Sequence, residues 1–141
     1  MTTHTQTQPV SLEPGMVVLE ASAGTGKTHQ ITNLAARLVA ARGISMREIV
    51  VVTFTKAATA ELRDRIRTRL REALHAIQEG EHAEADLHAI AEECAPFRDL
   101  AMQRLTEALR DFDQALISTI HGFCQRMIES HGFECGADPG R

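Results

Sequence analysis

A short apolar run, a glycine-bearing loop and an amphipathic stretch follow one another between Met16 and Leu38, an order that leaves few folds open. Glu13-Pro14-Gly15 punctuates the chain. Met16 to Glu20 (MVVLE) reads as a short buried strand, and from Thr28 onward Ile31, Leu34, Ala35 and Leu38 recur at helical spacing. Between them lies Ala21-Ser22-Ala23-Gly24-Thr25-Gly26-Lys27-Thr28, which fits the phosphate-cradling P-loop pattern. Its glycines let backbone N–H groups turn inward on a β-phosphate at the start of a helix. Lys27 is placed to reach the β- and γ-phosphates as the catalytic cation, and the Thr28 hydroxyl to hold Mg2+. All eight residues are expected to bind nucleotide, with ATP and Mg2+ as the ligands. The bland alternative is a Gly-rich turn with a chance Lys-Thr pair, and the strand before it and the helix after it weigh against that.

Of 15 basic residues all but Lys27 and Lys56 are arginine. An Arg-rich chain that keeps lysine at two motif positions suggests sites needing a slim point charge rather than a planar fork. At 141 residues, 43% of them hydrophobic, the chain has room for one domain and its core. Its polar start and the lack of any apolar run of about 18 residues lead to an expected cytoplasmic location. Cys94, Cys124 and Cys135 are never spaced C-x-x-C, so free thiols are expected. His75, His82 and His88 lie in a Glu-rich stretch without a partner cysteine, and no metal site is expected there.

The net charge of −4 conceals an asymmetry. Lys56, Arg63, Arg65, Arg67, Arg69 and Arg71 are set against only Glu61 and Asp64, whereas Glu79, Glu81, Glu84, Asp86, Glu92 and Glu93 follow with no lysine or arginine among them. A basic segment succeeded by an acidic one suggests two surfaces with different partners.

Strands alternate with helices along the chain, the α/β signature. Ile49 to Thr53 (IVVVT) is a continuous β-branched run, as expected of a central parallel strand buried on both faces. From Ala57 a long helix places Leu62, Ile66, Leu70, Leu74 and Ile77 on one stripe and ends near Gly80. Residues 80–95 read as a polar connector, partly helical and weakly packed. Leu100 to Leu116 reads as a helix with Leu105, Ala108, Leu109, Phe112 and Leu116 inward, Ile117 to Ile120 as a third strand, and Phe123 to Ser130 as the opening of another helix.

Two segments follow strands as the glycine loop does. The order VVTFTKAATAEL at 51–62 resembles motif Ia of superfamily 1 DNA helicases of the UvrD/Rep type, and STIHGFCQRMI at 118–128 resembles the next DNA-contacting motif. With LEASAGTGKT before them, the resemblance is to the RecB branch of that family, the β subunits of exodeoxyribonuclease V, over residues 12 to 133. It implies an ATP-driven 3′-to-5′ translocase that unwinds and degrades double-strand ends in recombinational repair. Single-stranded DNA, DNA ends and the RecC and RecD subunits are the partners it implies.

The residues support a DNA surface beside that resemblance. A strand end delivering Thr53, Phe54, Thr55 and Lys56 offers hydroxyls, a cation and an aromatic face on which a base can stack. Phe54 as ordinary core at the end of a strand is the competing reading. Thr119 and His121, at the exit of the later strand, are candidates to hold a phosphate or sugar, unless His121 caps its helix or is a satisfied structural histidine. Arg63, Arg67 and Arg71 line one flank of the long helix and Arg65 and Arg69 the other beside Glu61 and Glu72; a solvated face accounts for such a run as well as a nucleic-acid track does.

The expected fold is thus an α/β P-loop NTPase, a partial RecA-like motor domain with a three-stranded parallel sheet flanked by helices. Residues 1–11 read as a polar tail, 12–133 as the partial ATP-binding domain and 134–141 as a truncated end. No Asp-Glu pair follows an apolar strand after residue 133, and the family's second motor domain with its arginine fingers has no counterpart here. Phosphoryl transfer depends on those groups, an arginine finger alone being worth ~10³–10⁵ in rate. The 141-residue chain is accordingly expected to bind ATP without hydrolysing it. The competing classes are a small P-loop NTPase of another kind and a stand-alone nucleotide- or DNA-binding fragment without catalysis.

Overall fold

The computed structural model describes residues 10–17 and 25–131. Helix α1 (Thr25–Ala40) leads through a 3-10 turn at Met46–Glu48 to strand β1 (Val50–Thr53), and helix α2 (Lys56–Glu79) follows directly. Helices α3 (Ala85–Cys94) and α4 (Arg98–Arg110) come next, then a 3-10 turn at Phe112–Gln114, strand β2 (Leu116–Thr119) and helix α5 (Ile120–His131). The two strands pair in parallel, Val50 opposite Leu116 and Thr53 opposite Thr119. Among the described residues the sheet has these two strands; the expected strand at 16–20 lies outside them beyond Val17, and Met16 and Val17 are irregular and exposed.

Helix α2 is the axis of the fold. Its apolar positions fall every three or four residues, so Leu62, Ile66, Leu70, Ala73 and Ile77 form one buried stripe, with Leu74 partly buried beside it. Thr55 caps its start, its hydroxyl accepting the Ala58 N–H at 3.0 Å, a bond typically worth ~1 kcal/mol. Gly80 ends it at φ 79°, a left-handed turn that suits glycine. The Arg98 guanidinium donates to the Ile77 and Gln78 carbonyls at 3.1 and 2.7 Å, satisfying acceptors the helix end leaves open. Helices α1, α3 and α4 pack around α2, and Val39, Met46, Leu87, Ile90, Leu105, Phe112 and Ile117 complete the core.

Several expectations are corrected. Residues 80–95 are not a weakly packed connector: Leu87, Ile90, Ala91 and Cys94 recur as i, i+3, i+4, i+7 and are all buried, so α3 is a core helix whose narrow apolar stripe is flanked by Asp86, Glu92 and Glu93. Half of the acids do not belong to a separate surface either, since Glu84, Asp86 and Glu93 pair with Arg69, His29 and Arg37 of the neighbouring helices, while Glu79 and Glu81 are exposed. Helix α4 stops at Arg110 rather than Leu116, because the chain has to turn there to enter β2; Phe112 is fully buried, but from the 3-10 turn. Strand β1 is not buried on both faces. Val51 packs on the core while Val50 and Val52 are 46% and 44% exposed, because α2 covers only one face of the strand pair.

Helix α5 begins at Ile120, three residues before its expected start, which puts His121 in its first turn. In α1 the buried positions are Thr32, Ala35, Ala36, Val39 and Ala40, so the inward face is rotated away from the exposed Ile31.

Candidate nucleotide and nucleic-acid interface

Of the glycine-loop residues, Ala21, Ser22, Ala23 and Gly24 lie outside the described residues. Thr25 opens α1, and Gly26, Lys27 and Thr28 occupy its first turn, Lys27 exposed and Thr28 half-buried. The candidate phosphate ligands therefore stand at a helix N-terminus, where unpaired amides and the helix dipole favour an anion. Beside them, Gly26, Thr28 and Thr32 of α1 and Asp64, Thr68 and Glu72 of α2 line an open cleft.

First-turn acids divide the helices into two groups. Helices α3 and α4 carry Asp86 and Asp99 there, neutralising their own positive ends, whereas α1, α2 and α5 carry none. The three acid-free starts fall within the three sequence motifs.

A charged clamp fixes the start of α1. His29 Nε2 lies 2.7 Å from Asp86 Oδ2, and Asn33 donates to the same oxygen at 3.1 Å. Arg69 of α2, 5% exposed, donates to Glu72 at 3.0 Å, to both oxygens of Glu84 and to the side-chain amide oxygen Oδ1 of Asn33. The guanidinium hydrogen bond holds the Glu84 carboxyl below its ordinary range, and the His29 contact does the same for Asp86. His29, Glu84 and Asp86 bring three potential metal-ligand atoms within 4.8 Å of one another. Arg69 already neutralises Glu84 through two bonds, so the group is a closed ion-pair network linking α1, α2 and α3. Sequence spacing gave no sign of it, since His29 and Asp86 are 57 residues apart.

The second group gathers at the C-terminal ends of the parallel strands. Phe54 is 91% exposed at the turn from β1 into α2, which removes the alternative that it is core. Lys56, also exposed, is the first residue of α2, and His121, exposed, is in the first turn of α5. The capping role open to His121 belongs to Thr119, whose hydroxyl accepts the Gly122 N–H at 3.0 Å. Thr55 and Thr119 are both acceptors in these caps, which leaves their hydroxyl protons free to be donated outward. The Thr53 hydroxyl is different: it is tied to Thr59 Oγ1 and to the Thr55 carbonyl at 3.1 Å, so it stabilises the turn instead of facing a phosphate.

The arginines of α2 divide as well. Arg65 pairs with Glu61 at 2.7 Å and Arg69 with Glu72, as the helical spacing implied. Arg63 donates to the Ile117 carbonyl at 3.1 Å, and Arg67 pairs with Asp113 at 3.0 Å while lying 4.8 Å over the Phe112 ring. Both therefore bind α2 to β2 and to the turn that enters it. Arg71 is exposed.

Two paired parallel strands, each running into a helix whose first turn lacks an acid, define an α/β unit. The chain belongs to the UvrD/REP helicase N-terminal domain family, whose model matches residues 2–140. It is 42% identical over 130 residues to the RecBCD enzyme subunit RecB of Escherichia coli K12, covering 86% of this chain and 11% of that protein. Against RecBCD enzyme subunit RecB of Mycobacterium tuberculosis CDC 1551 / Oshkosh the figures are 40% over 129 residues, 88% and 11%. An ATP-dependent helicase/nuclease subunit from Pelotomaculum thermopropionicum is 32% identical over 139 residues, 97% of this chain and 9% of that protein. The chain thus spans about a tenth of the length of these curated relatives. Among the described residues no helix is long and apolar enough to cross a membrane.

Proposed function

We propose that this chain is the ATP- and DNA-binding N-terminal portion of a cytoplasmic, ATP-dependent 3′-to-5′ DNA helicase and exonuclease subunit of the RecB type. Its work is the processing of DNA ends in recombinational double-strand-break repair. The observation that carries the reading is the exposed Phe54 between two acid-free helix starts at the exit of paired parallel strands. Phe54 supplies a stacking face for a base of single-stranded DNA, Lys56 a cation, and Thr55, Thr119 and His121 donors for the sugar–phosphate chain. Thr53 shapes the turn that carries them.

The partial RecA-like fold with a P-loop is part of the same proposal. Residues Ala21 to Thr28 cradle the phosphates of ATP, with Lys27 on the β- and γ-phosphates and the Thr28 hydroxyl on Mg2+. Bound Mg2+ would supply charge neutralisation between those phosphates; what this chain adds is the acid-free start of α1 and a clamp that keeps that start in place. The 141 residues contain no carboxylate pair after an apolar strand to hold the metal from the other side, so we propose binding without turnover in the isolated chain. The partners are single-stranded DNA, DNA ends and RecC- and RecD-type subunits, in keeping with the name RecBCD borne by the relatives.

Calorimetry with Mg-ATP on the wild type and on Lys27→Ala tests the nucleotide half. Heat of binding in the wild type and none in the variant is expected; equal binding by both would refute the assignment.

A further inference from the structure

Phe54 presents almost its whole surface to solvent on a turn that is itself tightly bonded. Thr59, one helical turn into α2 and half-buried, donates its hydroxyl to the Thr55 carbonyl at 3.0 Å, and its backbone N–H reaches the same oxygen at 3.1 Å. A threonine that bonds the carbonyl four residues back is common in helices. Thr106 of α4 does only that, to the Met102 carbonyl at 2.8 Å. Thr59 differs in its further partner, the Thr53 hydroxyl across the turn, whose single proton is shared between Thr59 Oγ1 and the Thr55 carbonyl. The last residue of β1, the cap of α2 and the first turn of α2 are thereby joined around Phe54, the aromatic side chain that projects outward.

We infer that Thr59 is a positioning residue for single-stranded nucleic acid: its hydroxyl holds the Thr53–Lys56 turn so that the Phe54 ring is already oriented to receive a base. An unanchored turn would have to be ordered when the base stacks, and that cost would be subtracted from the affinity. The inference rests on the strand exits being a DNA surface. Thr59 itself touches no DNA in it, so its effect must pass entirely through Phe54.

The test is fluorescence anisotropy of a labelled oligo-dT with the 141-residue chain, alongside thermal melting of every variant. Thr59→Val, which keeps the shape and removes the hydroxyl, is expected to weaken binding about 3- to 10-fold, the range set by losing one pre-organised side chain. Its salt dependence should match the wild type, because the phosphate contacts remain. In the Phe54→Ala background the same change should cost nothing further, the signature of two residues acting as a unit. Thr59→Ser should restore binding and Thr106→Val should leave it unchanged. If Thr59→Val melts too early to assay, Thr53→Val removes the other end of the same link and should show the same non-additive loss. Losses at Thr59 and Phe54 that add, or a Thr59→Val that binds like wild type while Phe54→Ala is weakened, would overturn the positioning role and leave the DNA surface standing. A neutral Phe54→Ala would remove both.

Discussion

Thr53 and Thr119 face each other as the last pair of the two parallel strands, and each leads within a few residues into a helix whose first turn lacks an acid. The starts of α2 and α5 are consequently held side by side by the strand register rather than by loops. Each helix start carries a partial positive charge of about half an electron, so their adjacency gives one edge of the molecule a preference for anions. The start of α1 is likewise free of acids, whereas in α3 and α4 that charge is cancelled internally, by Asp86 and Asp99.

Lys56 and Phe54 should separate two components of DNA affinity. Lys56→Gln is expected to reduce the slope of log affinity against log salt by ~0.7–1, one phosphate contact, with little sequence dependence. Phe54→Ala is expected to weaken binding by ~1–3 kcal/mol and leave the slope unchanged. Titrations of oligo-dT across a salt series read both; a shallower slope for Phe54→Ala would reverse the assignment of roles.

The clamp at the start of α1 makes stability depend on acid pH. Glu84 and Asp86 have folded-state values below their ordinary 4.5 and 3.8, so both are ionised at neutral pH in either state and contribute fully there. As pH falls through the ordinary carboxylate range, the unfolded chain takes up protons first, and the contribution is lost progressively until the folded values are passed. Melting temperature followed from neutral pH downward should therefore fall less steeply for the double variant Glu84→Gln, Asp86→Asn than for wild type. Parallel curves would show that the clamp is not linked to protonation.

The thiols should differ sharply in reactivity. Cys94 is fully buried in α3, and burial pushes its thiol up to about 11, whereas Cys124 of α5 is exposed. In a Cys135→Ser background, an aromatic disulfide reagent at neutral pH is expected to consume one thiol per native chain and a second only after denaturation. Two thiols reacting in the native protein would mean that α3 is loosely docked.

Ile90 measures the packing of α3 directly. It is 1% exposed and belongs to the same core as Leu70 and Leu105. Ile90→Ala is expected to cost ~2–5 kcal/mol, as for other large-to-small changes in a core. Denaturant unfolding gives the number, and a loss under about 0.5 kcal/mol, the range of ordinary surface substitutions, would place the helix outside the core.

Local features of the fold were legible in the sequence because their causes are local. The stripe from Leu62 to Ile77, the stop at Gly80 and the pairs Arg65–Glu61 and Arg69–Glu72 follow from residues three or four apart on a single helix. The motif residues also declared themselves by order along the chain: Lys27 and Thr28 fall in a first helical turn, and Phe54 and Lys56 at a strand exit. In helix α3, Leu87, Ile90, Ala91 and Cys94 also keep helical spacing, while Asp86, Glu92 and Glu93 give the segment the overall composition of a polar connector.

Tertiary structure alone decided where the charges and hydroxyls go. Whether Glu84 faces solvent or Arg69, whether Arg63 meets a phosphate or the Ile117 carbonyl, and whether Thr53 points outward or to Thr59 depends on which elements pack together. Periodicity identifies the side of a helix that is buried, not the neighbour that buries it. The exposed Val50 and Val52 make the same point for a strand: an apolar run fixes its conformation, and only the layers around it fix how many faces are covered.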